Sequence, residues 1–331
     1  MKLLVCGGAG FIGSAFIKNH LKHYAQDEII NLDNLSIGSN LDNLREIESN
    51  PNYHFVQADI KNYELINKFV KSADIVVNFA AETHVDRSIG NSKPFIETNV
   101  LGTHSILEAV RLNDKTFVHV STDEVYGDAK NKESFTENDM LNPSNPYSAT
   151  KAAADNLTLA YHRTYGTKCI VTRCTNNFGP NQFPEKLIPK AIIRAQKDLK
   201  IPLYGDGNQI RSWIYVLDHV TAIEAVISRG RPGEIYNIAA WNEITNRSIV
   251  EKILDIMNKS HNLIEFVEDR PGHDRRYSID ASKIRKETGW SPEYQFDHAL
   301  NETVKWYVQN TEWWGPLANE KTLHPKPWTL G

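Results

Sequence analysis

The chain has 331 residues, of which 40% are hydrophobic and 24% are charged, a composition that allows a substantial buried core. Its formal net charge of −4 excludes a broad basic surface, so neither nucleic acid nor an anionic membrane is an expected partner. The three cysteines lack the spacing of a metal site or a disulfide framework, and Cys6 and Cys169 lie in strand-like apolar runs. No signal peptide or membrane span is predicted, so we expect a soluble, cytoplasmic protein.

The first half of the chain alternates short β-branched runs with amphipathic stretches, a pattern typical of strands and helices in a parallel sheet. We predict strands at residues 3–6, 29–32, 54–57, 75–78, 117–120 and 169–173. Helices are predicted between them at residues 13–24, 63–71 and 94–112. This order predicts an α/β fold with a doubly wound parallel sheet, the Rossmann arrangement, in residues 1–177.

The second half predicts a smaller, mixed α/β lobe that binds substrate. Prolines between residues 180 and 202 surround a predicted helix at 187–197, which favours binding loops over further sheet. A helix at 216–227 and a strand at 234–238 are expected to return to the Rossmann sheet. We therefore assign the chain to a lobe (178–212 and 241–296), returning Rossmann segments (about 213–240 and 297–312) and a loosely ordered tail (317–331).

A glycine-rich loop, GGAGFIG at residues 7–13, follows the first strand directly and opens the first helix. Gly7 would permit the tight turn, Gly10 would let the backbone approach a pyrophosphate, and Gly13 would let the helix pack on the strand. The next strand ends at Asp33, about 20 residues beyond the loop, where an acid binds ribose hydroxyls and repels a 2′-phosphate. The sequence therefore predicts a site for NAD rather than NADP; a glycine-rich hairpin without a ligand is the alternative.

Tyr147 and Lys151 lie one helical turn apart, so their side chains emerge on the same face of a helix. We expect the ammonium to lower the pKa of the phenol toward the range of a general base. Such a pair can arise by chance. However, residues 121–127, STDEVYG, follow a predicted strand at the sheet edge where parallel α/β folds carry their active residues.

Over nearly its whole length the chain resembles the extended short-chain dehydrogenase/reductase family and, within it, the nucleotide-sugar 4,6-dehydratases. The most specific feature is the pair Asp123-Glu124, where relatives that only epimerise at C4 carry small polar residues. Elimination of water across C5 and C6 needs both a base and an acid, and two carboxyl groups of unequal pKa can divide these roles. A solvated acidic turn is the alternative interpretation.

The resemblance implies a reaction cycle on a nucleotide hexose with NAD as cofactor. Tyr147 would take the O4 proton while the C4 hydride passes to NAD, with Thr122 near O4 and Lys151 on the nicotinamide ribose. Glu124 would then remove the C5 proton, Asp123 would protonate the departing C6 hydroxyl, and hydride would return to C6. The expected substrate is dTDP-glucose. A UDP-glucose 4,6-dehydratase, a nucleotide-sugar 4-epimerase and a non-catalytic NAD-binding scaffold remain the alternatives.

The same resemblance assigns binding residues. Cofactor contacts are expected at Gly7, Gly10, Phe11, Ile12, Gly13, Asp33, Asp59, Ile60, Ala80, Ala81, Thr83, Asn99, Tyr147 and Lys151. Substrate contacts are expected at Thr83, His84, Thr122, Asp123, Glu124, Asn177, Lys186, Leu187, Arg211, Asn246, Arg270, His273 and Tyr277. Asp59 could instead cap a helix, Asn99 and Asn177 could be buried structural residues, and the arginines could be ordinary surface residues. No metal site is predicted, because His84 has no second ligand at a suitable spacing.

Family resemblance also implies a homodimer. The helix at 94–112 and the helix that carries Tyr147 would pair with their counterparts in a four-helix interface. Small and apolar residues suited to such packing are Ala152, Ala153, Ala154, Leu157 and Leu159. Packing of these residues against the chain's own sheet is the alternative.

Overall fold

A computed structural model describes residues 1–129, 132–240 and 242–330. Its centre is a seven-stranded parallel sheet with the strand order β10-β6-β5-β4-β1-β2-β3. The strands are β1 (Lys2–Cys6), β2 (Glu28–Asp33), β3 (Tyr53–Gln57), β4 (Ile75–Asn78), β5 (Thr116–Thr122), β6 (Lys168–Cys174) and β10 (Ile235–Ile238). The doubly wound α/β fold predicted from the alternating pattern is confirmed.

Buried aliphatic runs explain why these segments form central strands. Leu3, Leu4 and Val5 of β1 are fully buried, and β1 lies between β2 and β4. The order of the strands reverses at β1 and β4, which creates a crevice at their carboxyl ends. The glycine-rich loop follows β1 and therefore opens into this crevice.

Helices cover both faces of this sheet, and further helices build the second lobe. They are α1 (Phe11–His23), α2 (Tyr63–Ser72), α3 (Val85–Gly90), α4 (Lys93–Phe95), α5 (Thr103–Leu112), α6 (Pro146–Tyr165), α7 (Leu187–Gln196), α8 (Val216–Arg229), α9 (Asn246–Ile256), α10 (Ser282–Thr288), α11 (Phe296–Gln309) and α12 (Thr311–Trp314). The helix predicted at residues 94–112 is not one α-helix, because Ile96–Gly102 forms a π-helical segment between α4 and α5. Within that segment Asn99 is buried and bonds the backbone of Glu82, a long-range contact that periodicity does not reveal.

The second lobe has its own core and more sheet than the sequence predicted. A three-stranded sheet joins β11 (Asn242–Thr245), β9 (Ile210–Tyr215) and β7 (Asn176–Phe178), and a two-stranded sheet joins β12 (Ile264–Val267) and β8 (Ile201–Tyr204). These strands are short and include Pro202, which explains the incorrect expectation of loops. Segment 297–312 packs in this lobe, not on the Rossmann sheet, because apolar residues of α11 lie against α7 and α9.

The predicted loose tail is also corrected. After α12, the chain forms short 3₁₀ turns at Gly315–Leu317 and Pro327–Thr329, and Thr322 and Leu323 are buried. Trp313 donates its indole N–H to Asn43 at 3.0 Å, and Asn43 donates to the backbone oxygen of Ala9 in the glycine-rich loop. The tryptophan therefore links the second lobe to the loop.

Within the described ranges, no helix has both the length and the apolar character that crossing a membrane requires. Cys6, Cys169 and Cys174 are buried and unpaired, as expected of core residues.

Candidate active site

A long cleft runs along the carboxyl ends of the sheet strands and contains most of the predicted cofactor residues. Its walls include Gly7, Gly10, Phe11, Ile12, Gly13, Asp33, Ile60, Ala80, Ala81, Thr83, Tyr147 and Lys151. We call it the first cleft. Elements far apart in the chain meet there because parallel strands all end at the same sheet edge.

The glycine-rich loop is packed too closely for side chains. Gly7 has a φ of +78°, and a Cβ atom there would lie 2.5 Å from the backbone nitrogen of Ala80. A Cβ atom at Gly13 would lie 2.3 Å from the carbonyl oxygen of Gly7. The loop thus presents bare backbone and the N-terminus of α1 to the cleft, an arrangement that suits a phosphate group.

Asp33 is the last residue of β2 and is held in place by the backbone. Its two carboxylate oxygens accept hydrogen bonds from the amides of Ala9 at 3.0 Å and Leu35 at 2.8 Å. The side chain is buried yet lines the first cleft. A fixed carboxylate here can accept hydrogen bonds from ribose hydroxyls, and it would repel a phosphate.

Two predicted cofactor residues lie beside the cleft rather than in its wall. Asp59 accepts a hydrogen bond from the amide of Lys61 at 2.9 Å and one from Asn34 at 3.5 Å. The Asn99 side chain accepts a hydrogen bond from the Glu82 amide and donates to the Glu82 carbonyl oxygen. It also donates to the Thr150 hydroxyl at 3.0 Å. In this structure both residues support the surrounding loops.

The acid pair follows β5 in a 3₁₀ turn, Asp123–Tyr126, which Thr122 caps by accepting the Glu124 amide. Burial and the neighbouring charge of Glu124 raise the pKa of Asp123 to about 8. Its Oδ2 is buried and has no hydrogen-bond partner among the described residues. Burial also raises the pKa of Glu124, but Arg270, Arg211 and Lys186 oppose that rise. The two carboxyl groups therefore have different electrostatic surroundings.

Tyr147 and Lys151 project from the first two turns of α6 into the first cleft, as their spacing predicted. The expected lowering of the phenol pKa is wrong for this structure. Burial and the charge of Glu124 raise the pKa of Tyr147. Lys151 donates to the carbonyl oxygen of Val120 at 2.8 Å, and burial lowers its pKa to about 8.

A second cleft adjoins the first and shares Glu124, Asn176, Glu185 and Lys186 with it. It contains most of the predicted substrate residues: His84, Glu124, Lys186, Leu187, Arg211, Asn246, Arg270, His273 and Tyr277. Thr83, Thr122, Asp123 and Asn177 line the first cleft instead. Three cationic side chains close to Glu124 give the junction the character of an anion site.

The two arginines are fixed in different ways. Arg211 donates to the carbonyl oxygens of Ile210 at 2.7 Å and Asp274 at 2.9 Å and lies over the ring of Tyr277, 4.1 Å from its centroid. Arg270 donates to Asp86 at 3.0 Å, while its Nε is buried with no partner in the described part of the chain. Arg270 thus has a free donor for an anionic ligand.

Two more of the predicted side chains have protein partners. Asn177 contacts His219 at 2.9 Å, and His273 contacts Asp269 at 2.6 Å. His84 is buried and has a φ of +93°, which is unusual for a residue with a Cβ atom. Burial lowers its pKa to about 4, so the ring is neutral near pH 7.

The site contains polar groups that protein contacts leave unsatisfied. Ser121, Thr175 and Asn176 line the first cleft, and each has a buried side-chain oxygen with no partner among the described residues. Such atoms usually meet water or a ligand. Together with the bare glycine loop and Asp33, they fit the phosphates and hydroxyls of a dinucleotide.

The model of the GDP-mannose 4,6 dehydratase family matches residues 4–303. The chain belongs to this dehydratase family. A dTDP-glucose 4,6-dehydratase of Escherichia coli is 45% identical, with 97% of this chain and 99% of that protein covered. The low-salt glycan biosynthesis protein Agl12 of Haloferax volcanii is 48% identical, with 94% and 100% covered. The crystal structure of DesIV, a dTDP-glucose 4,6-dehydratase of Streptomyces venezuelae with NAD and dTDP bound, aligns with a TM-score of 0.94 at 44% identity, covering 96% and 100%.

Sequence reasoning missed several residues of the dehydratase site. Asp86, Glu185, Lys190 and Tyr204 line the second cleft, and Asp86 bonds both Arg270 and Tyr204. A buried carboxylate needs a cation, so an acidic residue two positions after His84 was a usable signal for Asp86. Lys190 lies on α7, one helical turn after Lys186, and this spacing could have indicated that both side chains lie on the same face of the helix. Among the described residues, no cluster of three potential metal ligands is present.

Proposed function

We propose that this chain is an NAD-dependent dehydratase that converts dTDP-glucose to dTDP-4-keto-6-deoxyglucose. The observation that carries the proposal is the Asp123-Glu124 pair. Both residues line the cleft that fits a dinucleotide, and Glu124 also lines the cleft with the cations that a diphosphate requires. An epimerase has no use for two carboxyl groups at this place. The names of relatives about 45% identical over nearly the full length agree with this reading.

The cofactor would be held by the glycine loop at its pyrophosphate and by Asp33 at the adenosine ribose. Bound NAD would supply a hydride acceptor at C4 of the sugar and a hydride donor at C6. Lys151, which is buried and donates to Val120, would hold the nicotinamide ribose. The carboxylate of Asp33 favours NAD over NADP because a 2′-phosphate would meet a like charge.

In the first step Tyr147 would accept the O4 proton. Its raised pKa in the protein alone means that this base needs help from cationic neighbours. Lys151 is protonated below about pH 8 and lies one turn away on the same helix. A bound, oxidised nicotinamide would add a second positive charge to the cleft. Both charges favour the phenolate, so we expect the pKa of Tyr147 to fall on cofactor binding.

In the second step the acid pair would divide the elimination. Asp123, with a pKa of about 8, is mostly protonated near neutral pH and can protonate the C6 hydroxyl as it leaves. Glu124 faces Arg270, Arg211 and Lys186, which favour its ionised form and suit it to remove the C5 proton. The C5 proton is acidic once C4 is a ketone. The unequal surroundings of the two groups thus support unequal roles.

The test is the mass of the product formed from dTDP-glucose and, separately, from UDP-glucose. The proposal predicts that the purified protein converts dTDP-glucose to a product lighter by one water without added reductant. A product of unchanged mass would support a 4-epimerase. A faster loss of water from UDP-glucose than from dTDP-glucose would identify the protein as a UDP-glucose 4,6-dehydratase instead. No turnover of either sugar would leave the scaffold alternative standing.

We also propose a homodimer through the outer faces of α5, α6 and the π-helical segment. The large apolar residues Ile96, Leu101 and Leu112 are 49%, 55% and 58% exposed on these elements. Ala152 and Ala154, expected at the interface, are buried in the monomer, which leaves Ala153, Leu157 and Leu159 as partly exposed candidates. Light scattering on the purified protein should give twice the chain mass; a monomer at micromolar concentration would refute the proposal.

A further inference from the structure

The C-terminal segment, residues 322–330, packs on the wall of the second cleft. Thr322, Leu323 and Pro327 are buried, and the 3₁₀ turn Pro327–Thr329 lies against α3. Because α3 begins just after His84, the segment backs directly onto an element of the cleft. The proposed reaction assigns no role to it.

The ring of Trp328 makes an edge contact with Tyr204, with ring centroids 4.9 Å apart and planes at 86°. The Tyr204 hydroxyl donates to one oxygen of Asp86 at 2.8 Å. The other oxygen of Asp86 accepts from Arg270 at 3.0 Å. A continuous series of contacts therefore leads from Trp328 to the guanidinium in the second cleft.

Arg270 is well placed to receive an anion. Asp86 and Arg270 have side chains only 2% and 12% exposed, so their pairing takes place away from bulk water. The Arg270 Nε atom is buried and has no partner among the described residues. The orientation of Arg270 thus depends on Asp86, and the orientation of Asp86 depends on Tyr204.

Two further contacts fix the segment to elements that carry cleft residues. Lys190, which lines the second cleft, donates to the carbonyl oxygen of His324 at 3.2 Å. Lys326 pairs with Glu268 at 2.9 Å, just before the stretch that holds Arg270 and His273. Both contacts place the segment where it can restrain these two elements.

We propose that the C-terminal segment supplies a positioning residue to the nucleotide-sugar site: Trp328, together with Tyr204, holds Asp86 and thereby orients Arg270 toward the diphosphate. The inference rests on the proposed function in one respect, that the ligand is a nucleoside diphosphate. Trp328 and Tyr204 act here as positioning residues. The predicted signature is weaker binding with unchanged chemistry.

The experiment measures dTDP binding by calorimetry, together with KM and kcat for dTDP-glucose. Variants are Trp328→Ala, Trp328→Phe, Tyr204→Phe and the double variant Trp328→Ala/Tyr204→Phe. Thr329→Ala is the matched control, since Thr329 is exposed and its hydroxyl donates to the backbone oxygen of Lys326 in the same segment. We expect Trp328→Ala to weaken dTDP binding and raise KM about threefold to tenfold, the change in affinity that corresponds to the loss of one aromatic contact. We expect kcat to stay within about twofold.

Three comparisons decide the inference. Trp328→Phe should recover most of the dTDP affinity because it keeps an aromatic edge, and Thr329→Ala should bind as the wild type does. If Trp328 acts through Tyr204, the double variant should bind no more weakly than Tyr204→Phe alone. Wild-type affinity in Trp328→Ala, additive losses in the double variant, or a fall in kcat and thermal midpoint at constant KM would each overturn the inference.

Binding to the wild type separates this inference from the proposed function. If the wild type binds dTDP but Trp328→Ala binds it equally, the positioning role fails while the dehydratase proposal stands. If the wild type binds neither dTDP nor UDP, the proposed ligand class is wrong, and the positioning inference falls with it.

Discussion

Replacing the acid pair should separate oxidation from dehydration. In the variant Asp123→Asn/Glu124→Gln the amides can neither protonate the C6 hydroxyl nor remove the C5 proton, while Tyr147 and Lys151 remain. We expect the C4 hydride to be transferred still, so that reduced cofactor accumulates. Water loss should be strongly suppressed.

The expected magnitude follows from the surroundings of Asp123. With a pKa of about 8 the carboxyl group is protonated roughly ten times more often than ionised at pH 7, so almost every enzyme molecule carries the acid. Positioned acid or base catalysis is worth about 10²-fold to 10⁴-fold per group. Loss of one group should therefore slow elimination by at least about 100-fold, or about 3 kcal/mol in the barrier.

A single-turnover experiment with dTDP-glucose distinguishes the two steps. Absorbance of reduced nicotinamide reports oxidation, and mass spectrometry of the quenched mixture reports loss of water. Tyr147→Phe is the control, because it should suppress both signals rather than one. Undiminished formation of the 6-deoxy product by the double variant would refute the assignment of the carboxyl pair.

Three further predictions follow from the same geometry. The Asp123 carboxyl is protonated below its raised pKa, so the pH profile of water elimination should have an alkaline limb that falls as pH rises through about 8. Asp123→Asn should lose this limb. The residual activity of Glu124→Gln should show the limb at lower pH, because a neighbouring negative charge has been removed. Asp33→Asn should weaken NAD binding about 10-fold to 100-fold in a fluorescence titration, because charged hydrogen bonds to the ribose are lost. Asp42→Asn should leave NAD binding unchanged, since Asp42 pairs with Arg45 on the surface. Equal affinity in both variants would exclude the assigned ribose contact. Asp155→Ala should lower the free energy of unfolding in urea by about 3 to 5 kcal/mol, because it leaves Arg173 charged and buried without the carboxylate now at 2.8 Å. Lys305→Ala, which breaks an exposed pair with Glu302, should change that free energy by less than about 1 kcal/mol. Similar losses at both sites would contradict this account.

The sheet and the cofactor loop could be predicted because their signals are local. Gly7, Gly13 and Asp33 are defined by spacing along one strand-turn-helix-strand unit, β1 to β2, and their surroundings in the structure match that unit. Tyr147 and Lys151 are likewise fixed by one helical turn. In each case the backbone alone brings the side chains together.

Residues whose roles depend on tertiary contacts could not be found in this way. Asp86 and Tyr204 lie on α3 and β8, and nothing in either segment indicates that they meet at 2.8 Å. The pKa of Tyr147 was predicted in the wrong direction because burial and the nearby charge of Glu124, which a sequence does not reveal, both raise it. The C-terminal segment has few apolar residues, yet Leu323 reaches the second core.

The central claim is that one sugar loses hydride at C4 and regains it at C6 without consuming cofactor. The most direct measurement follows deuterium from dTDP-glucose labelled at C4, using NMR of the product formed without added NAD. This account predicts that the label appears at C6 of a 4-keto-6-deoxy sugar and that the label is retained. A product with deuterium still at C4, or one whose label is lost to solvent, would contradict it.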